Sequence, residues 1–181
     1  MIIEHTNLDG VLLVKPIIHE DERGYFFESY RDDSFQNIGL SGKFCQDNQT
    51  KSKKSTLRGL HYQLNYPQGK LVRVSLGEVY DVAVDIRLNS PTFGQYYGKI
   101  LSDNNHFQMY VPPGFAHGYI VISEVAIFQY KCTEVYHPED EFGIRWDDPK
   151  LSIDWKITNP IISNRDKNLP LLSNQKDLPI Y

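Results

Sequence analysis

The chain lacks the features that mark several functional classes. Its 181 residues hold two cysteines, Cys45 and Cys132, far apart and without CxxC spacing. That argues against a disulfide framework and against a zinc ribbon. No apolar run approaches the length of a membrane span. The start, Met1-Ile2-Ile3-Glu4-His5, passes straight into polar sequence and does not read as a secretory leader. A formal charge of -4 gives no global basic field for nucleic acid or an anionic membrane. Internal repeats, low-complexity stretches and charge blocks are missing too. Helical periodicity is scarce: Arg31 to Ile38 is the best short candidate, with Asp32, Asp33 or Ser34 to cap it. What remains is a cytoplasmic protein, long enough to bury a full core as one domain over residues 1–181.

Aromatics are plentiful instead: twelve tyrosines, nine phenylalanines and two tryptophans. Such side chains favour strands and flat, stacking ligand sites. The clearest strand runs from Val79 to Leu88. Alternation puts Tyr80, Val82, Val84, Ile86 and Leu88 on one face, and Asp81, Asp85 and Arg87 on the other. Gly77-Glu78 before it and Asn89-Ser90-Pro91 after it signal turns. Residues 71–76, 106–111, 119–123 and 125–131 also read as strands. Short strands with turns every eight to twelve residues suggest an all-β sandwich or barrel. After Pro138, prolines 149, 160, 170 and 179 punctuate an irregular segment expected to wrap the strands rather than extend them.

Three residue types carry proton chemistry. His61, in Arg58-Gly59-Leu60-His61-Tyr62-Gln63, has Arg58 and Lys70 close in sequence. An imidazole beside fixed cations suits a general base acting on an anionic substrate or an enolate; it also fits a surface-loop histidine among ordinary basic residues. Tyr130 shares its face of 125–131 with Ala126 and Phe128, so it points inward. A buried phenol is either a core tyrosine with a satisfied hydroxyl or a proton donor. Spacing alone leaves Asp166, between Arg165 and Lys167, a solvated loop carboxylate. Arg58 and His61 fall on opposite faces by strict alternation, and Gly59 offers a bulge that resets the phase.

The segment Asp21 to Glu28 gathers Arg23, Phe26 and Glu28. Arginine grips phosphate in bidentate fashion, an aromatic ring stacks on a base and a carboxylate accepts from it; the same residues would also suit a charged edge strand. Gln46-Asp47-Asn48 adds amides able to contact phosphate or sugar. Pro112-Pro113-Gly114-Phe115-Ala116-His117 fits the second motif of the cupins. In metal-binding cupins its histidine joins an H-x-H pair and a glutamate. Here the first motif reads His61-Tyr62-Gln63, so a ligand is missing and a metal site is disfavoured. His117 is then either hydrogen-bonded in the mouth of the fold or a donor to a phosphate or sugar oxygen.

Taken in order, these motifs resemble the dTDP-4-dehydrorhamnose 3,5-epimerases of the RmlC type. The likeness runs nearly end to end, through Asp21 to Gly24, Gln46 to Asn48, Arg58 to His61, Gln68 to Arg73, Asp81 to Arg87, Ser90 to Gly94, Gly114 to Gly118, Tyr130-Lys131, Trp146 to Pro149 and Ser163 to Asp166. The resemblance implies a cupin jelly-roll barrel with a short helix or two, a homodimer, a dTDP-sugar substrate and a mechanism without metal or organic cofactor. It also implies roles: His61 the base, Asp166 its orienting carboxylate, Tyr130 the acid and Lys70 opposite the C4 oxygen. Arg23, Phe26, Glu28, Gln46, Asn48, Arg58, His117, Glu141 and Arg165 would bind the nucleotide sugar, and Tyr136 would stack on thymine. Two departures stand out. Arg165 occupies the place of the lysine usual before the dyad aspartate, and Val135-Tyr136 replaces the paired tyrosines of many relatives.

Overall fold

The computed structural model describes residues 1–37, 40 and 43–181. Among them the strands are β1 (Ile2–His5), β2 (Leu12–Lys15), β3 (His19–Asp21), β4 (Gly24–Phe26), β5 (Gln46–Lys53), β6 (Leu57–Gln63), β7 (Lys70–Leu76), β8 (Glu78–Asp85), β9 (Tyr96–Ser102), β10 (Gln108–Val111), β11 (Phe115–Val121), β12 (Val125–Cys132) and β13 (Glu141–Gly143). The helices are α1 (Asp32–Gln36) and α2 (Asn164–Lys167). The fold is all-β, as its composition implies. A six-stranded antiparallel sheet, β1-β2-β10-β7-β12-β5, faces a five-stranded one, β13-β6-β11-β8-β9. β3 and β4 form a separate hairpin. No helix among the described residues is long and apolar enough to cross a membrane.

Alternation explains how the sheets stack. Val72 and Val74 of β7, Ala126 and Phe128 of β12, and Val79 and Ala83 of β8 meet between the sheets. The outer face of the five-stranded sheet is covered as well. Tyr80, Val82 and Val84 pack against Leu151, Trp155 and Leu172 of the C-terminal segment. The face of β8 that carries Asp81 and Asp85 is therefore turned into the interior between the sheets. Both aspartates are wholly buried. Asp85 accepts from Arg87, Ser90 and Thr92, and Asp81 meets His117, so each charge has partners. β8 also ends at Asp85, short of the expected Leu88, where Arg87 turns back to bond Asp85.

Other boundaries move for local reasons. α1 spans Asp32–Gln36 with Arg31 at its N-cap and no side-chain cap bond, so none of Asp32, Asp33 and Ser34 serves as the cap. The expected helix end, Ile38, lies outside the described residues. The 106–111 strand begins at Gln108 and the 119–123 strand at Phe115. The C-terminal segment does wrap the five-stranded sheet, but it also extends it. β13 pairs with β6 from Glu141↔Gln63 to Gly143↔His61. Cys45 and Cys132 are free, yet adjacent in the fold: the Cys45 amide donates to the Cys132 carbonyl at 2.9 Å.

Candidate active site

A cavity of about 480 Å³ opens between the two sheets. His61, Arg58, Lys70, His117, Tyr130, Arg165 and Asp166 all line it. The backbone near Gly59 makes this possible. In the β6–β11 ladder His61 pairs with His117 but Arg58 pairs with Tyr119, so β6 carries one residue more than its partner. Gly59 has φ +118, and a Cβ there would lie 2.6 Å from the Gly118 Cα. The extra residue resets the side-chain phase, and Arg58 and His61 enter one cavity.

The irregular C-terminal segment delivers the carboxylate. Ile161 is pinned to the start of β6, its amide donating to the Ser55 carbonyl at 2.7 Å. Ser163 then caps α2, accepting from the Asp166 amide at 3.0 Å. Asp166 is 4% exposed, not a solvated surface group. Its Oδ1 lies 2.8 Å from His61 Nε2, and the Gly59 amide donates to Oδ2 at 3.4 Å. Burial pushes the Asp166 carboxyl upward, but bonds from His61, Gly59 and Ser163 outweigh it and hold the group below the usual carboxylate range. A carboxylate only accepts, so Nε2 carries its proton and Nδ1 is left as the basic atom of His61. Glu141 Oε1 stands 3.8 Å from that nitrogen.

Tyr130 and Lys70 come from the opposite sheet, on neighbouring strands β12 and β7. Burial pushes the Tyr130 phenol up to about 12, which keeps it a proton donor at neutral pH. Burial likewise pulls Lys70 down, outweighing the nearby carboxylates of Glu141 and Asp81. Lys70 forms no ion pair within 4 Å among the described residues, so its ammonium is free for a ligand oxygen. The cavity also contains residues that the motifs did not single out. Tyr119 stacks on Phe128 with centroids 4.0 Å apart, and its hydroxyl lies 2.7 Å from Thr50. Alternation within β11 puts Tyr119 on the side of His117 and would have flagged it.

At one edge Tyr136 donates to Glu141 Oε2 at 2.8 Å, and Arg165 pairs with the same carboxylate. Gln46 accepts from the Tyr136 amide at 2.9 Å and donates to Asn48 at 3.1 Å. Asn48 lines a second hollow on the six-stranded sheet, one it shares with Tyr130. Gln63, the missing metal-motif position, is turned to the backbone of the neighbouring loop, donating to Tyr66 and accepting from His137. Among the described residues no three His, Cys, Asp or Glu side chains group as a metal site requires. Seven of the expected ligand residues are not part of the cavity lining: Gln46, Asn48, Tyr136 and Glu141, just described, and Arg23, Phe26 and Glu28. Arg23 pairs with Asp21 of its own hairpin, Phe26 is 70% exposed, and Glu28 pairs with Arg31. Arg23 and Phe26 belong to the β3–β4 hairpin, whose strands pair with neither sheet, and Glu28 follows it.

The family model for dTDP-4-dehydrorhamnose 3,5-epimerase matches residues 5–174. The chain belongs to this epimerase family. It is 49% identical over 180 residues to the dTDP-4-dehydrorhamnose 3,5-epimerase of Methanothermobacter thermautotrophicus, covering 97% of this chain and 95% of that protein. The crystal structure of the Legionella pneumophila dTDP-6-deoxy-D-glucose-3,5-epimerase, in complex with dTDP-4-keto-L-rhamnose, superimposes with a TM-score of 0.96 at 49% identity, covering 99% of this chain and 97% of that one. ChmJ of Streptomyces bikiniensis, a 3'-monoepimerase in complex with dTDP-quinovose, reaches 0.92 at 31% identity, covering 97% and 92%. This epimerase thus shares the fold of enzymes that invert two centres and of one that inverts a single centre.

Proposed function

We propose that the cavity inverts C3 and C5 of dTDP-4-dehydro-6-deoxy-D-glucose, giving dTDP-4-dehydro-L-rhamnose in dTDP-L-rhamnose biosynthesis. The observation that carries this reading is that His61 with Asp166, on one side, and Tyr130 with Lys70, on the facing sheet, line one cavity. The C4 ketone acidifies the hydrogens on C3 and C5. His61 Nδ1 removes one of them, and Asp166 stabilises the imidazolium that results. Lys70 faces the enolate oxygen; one preorganised oxyanion donor is worth about 3–4 kcal/mol. Tyr130 returns a proton to carbon from the opposite face and inverts the centre. Both groups then re-equilibrate their protons with water, and the step repeats at the second carbon. No electrons are transferred and no C–C bond breaks, so the reaction needs no redox cofactor.

Arg58, His117 and Arg165 supply positive or donor groups for the diphosphate and sugar, and Tyr136 a ring for thymine, with Glu141, Gln46 and Asn48 beside it. Arg23, Phe26 and Glu28 are read as ligands in the site of a second copy. The exposure of their hairpin supports that, and with it a homodimer. A cytoplasmic location fits a substrate of this kind.

The test is proton NMR of dTDP-4-dehydro-6-deoxy-D-glucose incubated with the protein in D₂O. Deuterium at both C3 and C5 with the rhamno configuration is expected. Label and inversion at one carbon only would make the protein a single-centre epimerase. Binding without label would leave a nucleotide-sugar-binding protein.

A further inference from the structure

Asp81 is wholly buried, yet neither the cavity lining nor the proposed reaction uses it. It sits on β8 opposite Tyr119, two residues from Ala83, the register partner of His117. Both of its carboxylate oxygens lie 3.0 Å from His117 Nε2. His117 is 7% exposed, lines the cavity and lies face to face with Phe128, centroids 6.2 Å apart. Its ring is thus held from behind by a carboxylate, with the Phe128 ring roughly parallel to it and offset. A carboxylate accepts hydrogen bonds and cannot donate, so Nε2 carries the proton and Nδ1 is the ring atom left for the cavity.

We infer that Asp81 is a positioning residue that fixes the orientation and proton placement of His117 for the nucleotide sugar. The inference rests on the reading of His117 as a substrate-binding group. A charge with no exposure and a histidine as its side-chain partner is costly to bury. The arrangement parallels that of His61 and Asp166 across the β6–β11 ladder, where the two histidines are register partners. The cavity thus holds two imidazoles, each oriented by a carboxylate beyond it. Asp81 is also among the anions that stabilise the Lys70 ammonium, which is the competing route for any effect of its removal.

The test combines ring-nitrogen NMR with a double-mutant cycle. In the wild-type protein the ¹⁵N signals of His117 should show Nε2 protonated; a bare Nε2 with a protonated Nδ1 overturns the inference, and needs no variant. Asp81→Asn keeps shape but lets the amide donate as well as accept, so the proton placement becomes mixed. Its kcat/KM should fall about 10–100-fold, the size of effect expected when a hydrogen bond to a charged group is lost. The loss should fall mainly on KM, because His117 binds and does not react. In a His117→Gln background the same substitution should cost about twofold or less, since coupled residues are not additive. A full loss in that background means that Asp81 acts through Lys70 or the fold, and overturns the inference. Wild-type kinetics for His117→Gln alone would instead overturn the binding role of His117, while wash-in at C3 and C5 tests the reaction separately.

Discussion

Asp166 Oδ1 lies 2.8 Å from His61 Nε2, although 105 residues separate them in the chain. The pair orients the imidazole and leaves Nδ1 for the substrate. Asp166→Asn should keep the geometry but release the tautomer, lowering kcat by orders of magnitude, as the corresponding substitution does in a hydrolase triad (about 10⁴-fold). A variant with wild-type kcat would remove Asp166 from the mechanism.

The same pair makes stability depend on pH. The folded-state carboxyl of Asp166 is depressed, so its contribution is fully present above the unfolded aspartate value of about 3.9 and disappears as pH falls through the lower folded value. The Tm gap between wild type and Asp166→Asn should hold steady from about pH 5 to neutrality and close on acidification below about pH 4. A gap that widens toward acid would contradict the bond network described for this carboxylate.

Gly59→Ala tests the bulge. The new Cβ would meet two backbone atoms, the Gly118 Cα at 2.6 Å and the His117 oxygen at 2.7 Å, at a φ of +118. Overpacking of this kind costs about 1–3 kcal/mol, readable as a lower urea midpoint at unchanged slope. The folded fraction should also lose activity, because the phase reset that joins Arg58 to His61 is disturbed. An unchanged midpoint would show that the strands can separate without cost.

Much of this was legible in the sequence, and the failures have physical causes. Alternation gave the inward aim of Tyr130, since Ala126 and Phe128 share its face. The reset at Gly59 was legible because only an irregularity could bring Arg58 and His61 together. Alternation put Asp81 and Asp85 together on one face of their strand, but a period of two does not tell whether such a face meets solvent or an interior lined by polar partners. Asp166 could not be placed by spacing, since an irregular segment with no periodicity carries it to His61. The hairpin of Arg23 and Phe26 reads as a ligand segment only through resemblance; within one chain it stays outside the cavity.

That hairpin can be tested by complementation. His61→Ala and Arg23→Ala chains, each impaired alone, should regain part of the wild-type activity when refolded together, since in the proposed homodimer one site of a mixed pair would receive intact parts from both chains. Activity no greater than that of the two parents, with mixed dimers present by mass spectrometry, would place Arg23 outside the partner's site.

Metal independence is expected from Gln63, whose side chain is committed to loop backbone groups. Exhaustive EDTA treatment should leave turnover unchanged. Loss on chelation, restored by one divalent metal, would reverse this reading.

The two proton-transfer roles separate in Tyr130→Phe. His61 and Tyr130 project from facing sheets, so they approach a bound sugar from opposite sides. Phenylalanine keeps the ring that packs with Phe128, at centroids 6.0 Å apart, so the fold should survive with little cavity cost. His61 can still form the enolate and return a proton from its own side. Exchange of deuterium into substrate of unchanged configuration should therefore persist. Net epimerisation should fall ~10²–10⁴-fold, the usual effect of losing a general acid. Proton NMR in D₂O, comparing wash-in with inversion, reads both quantities at once. Equal loss of the two would mean that Tyr130 also serves deprotonation, acting on the enolate as well as on carbon. Undiminished inversion would assign the acid to another group, and Tyr119, whose hydroxyl lies 2.7 Å from Thr50 in the same cavity, would be the next phenol to substitute.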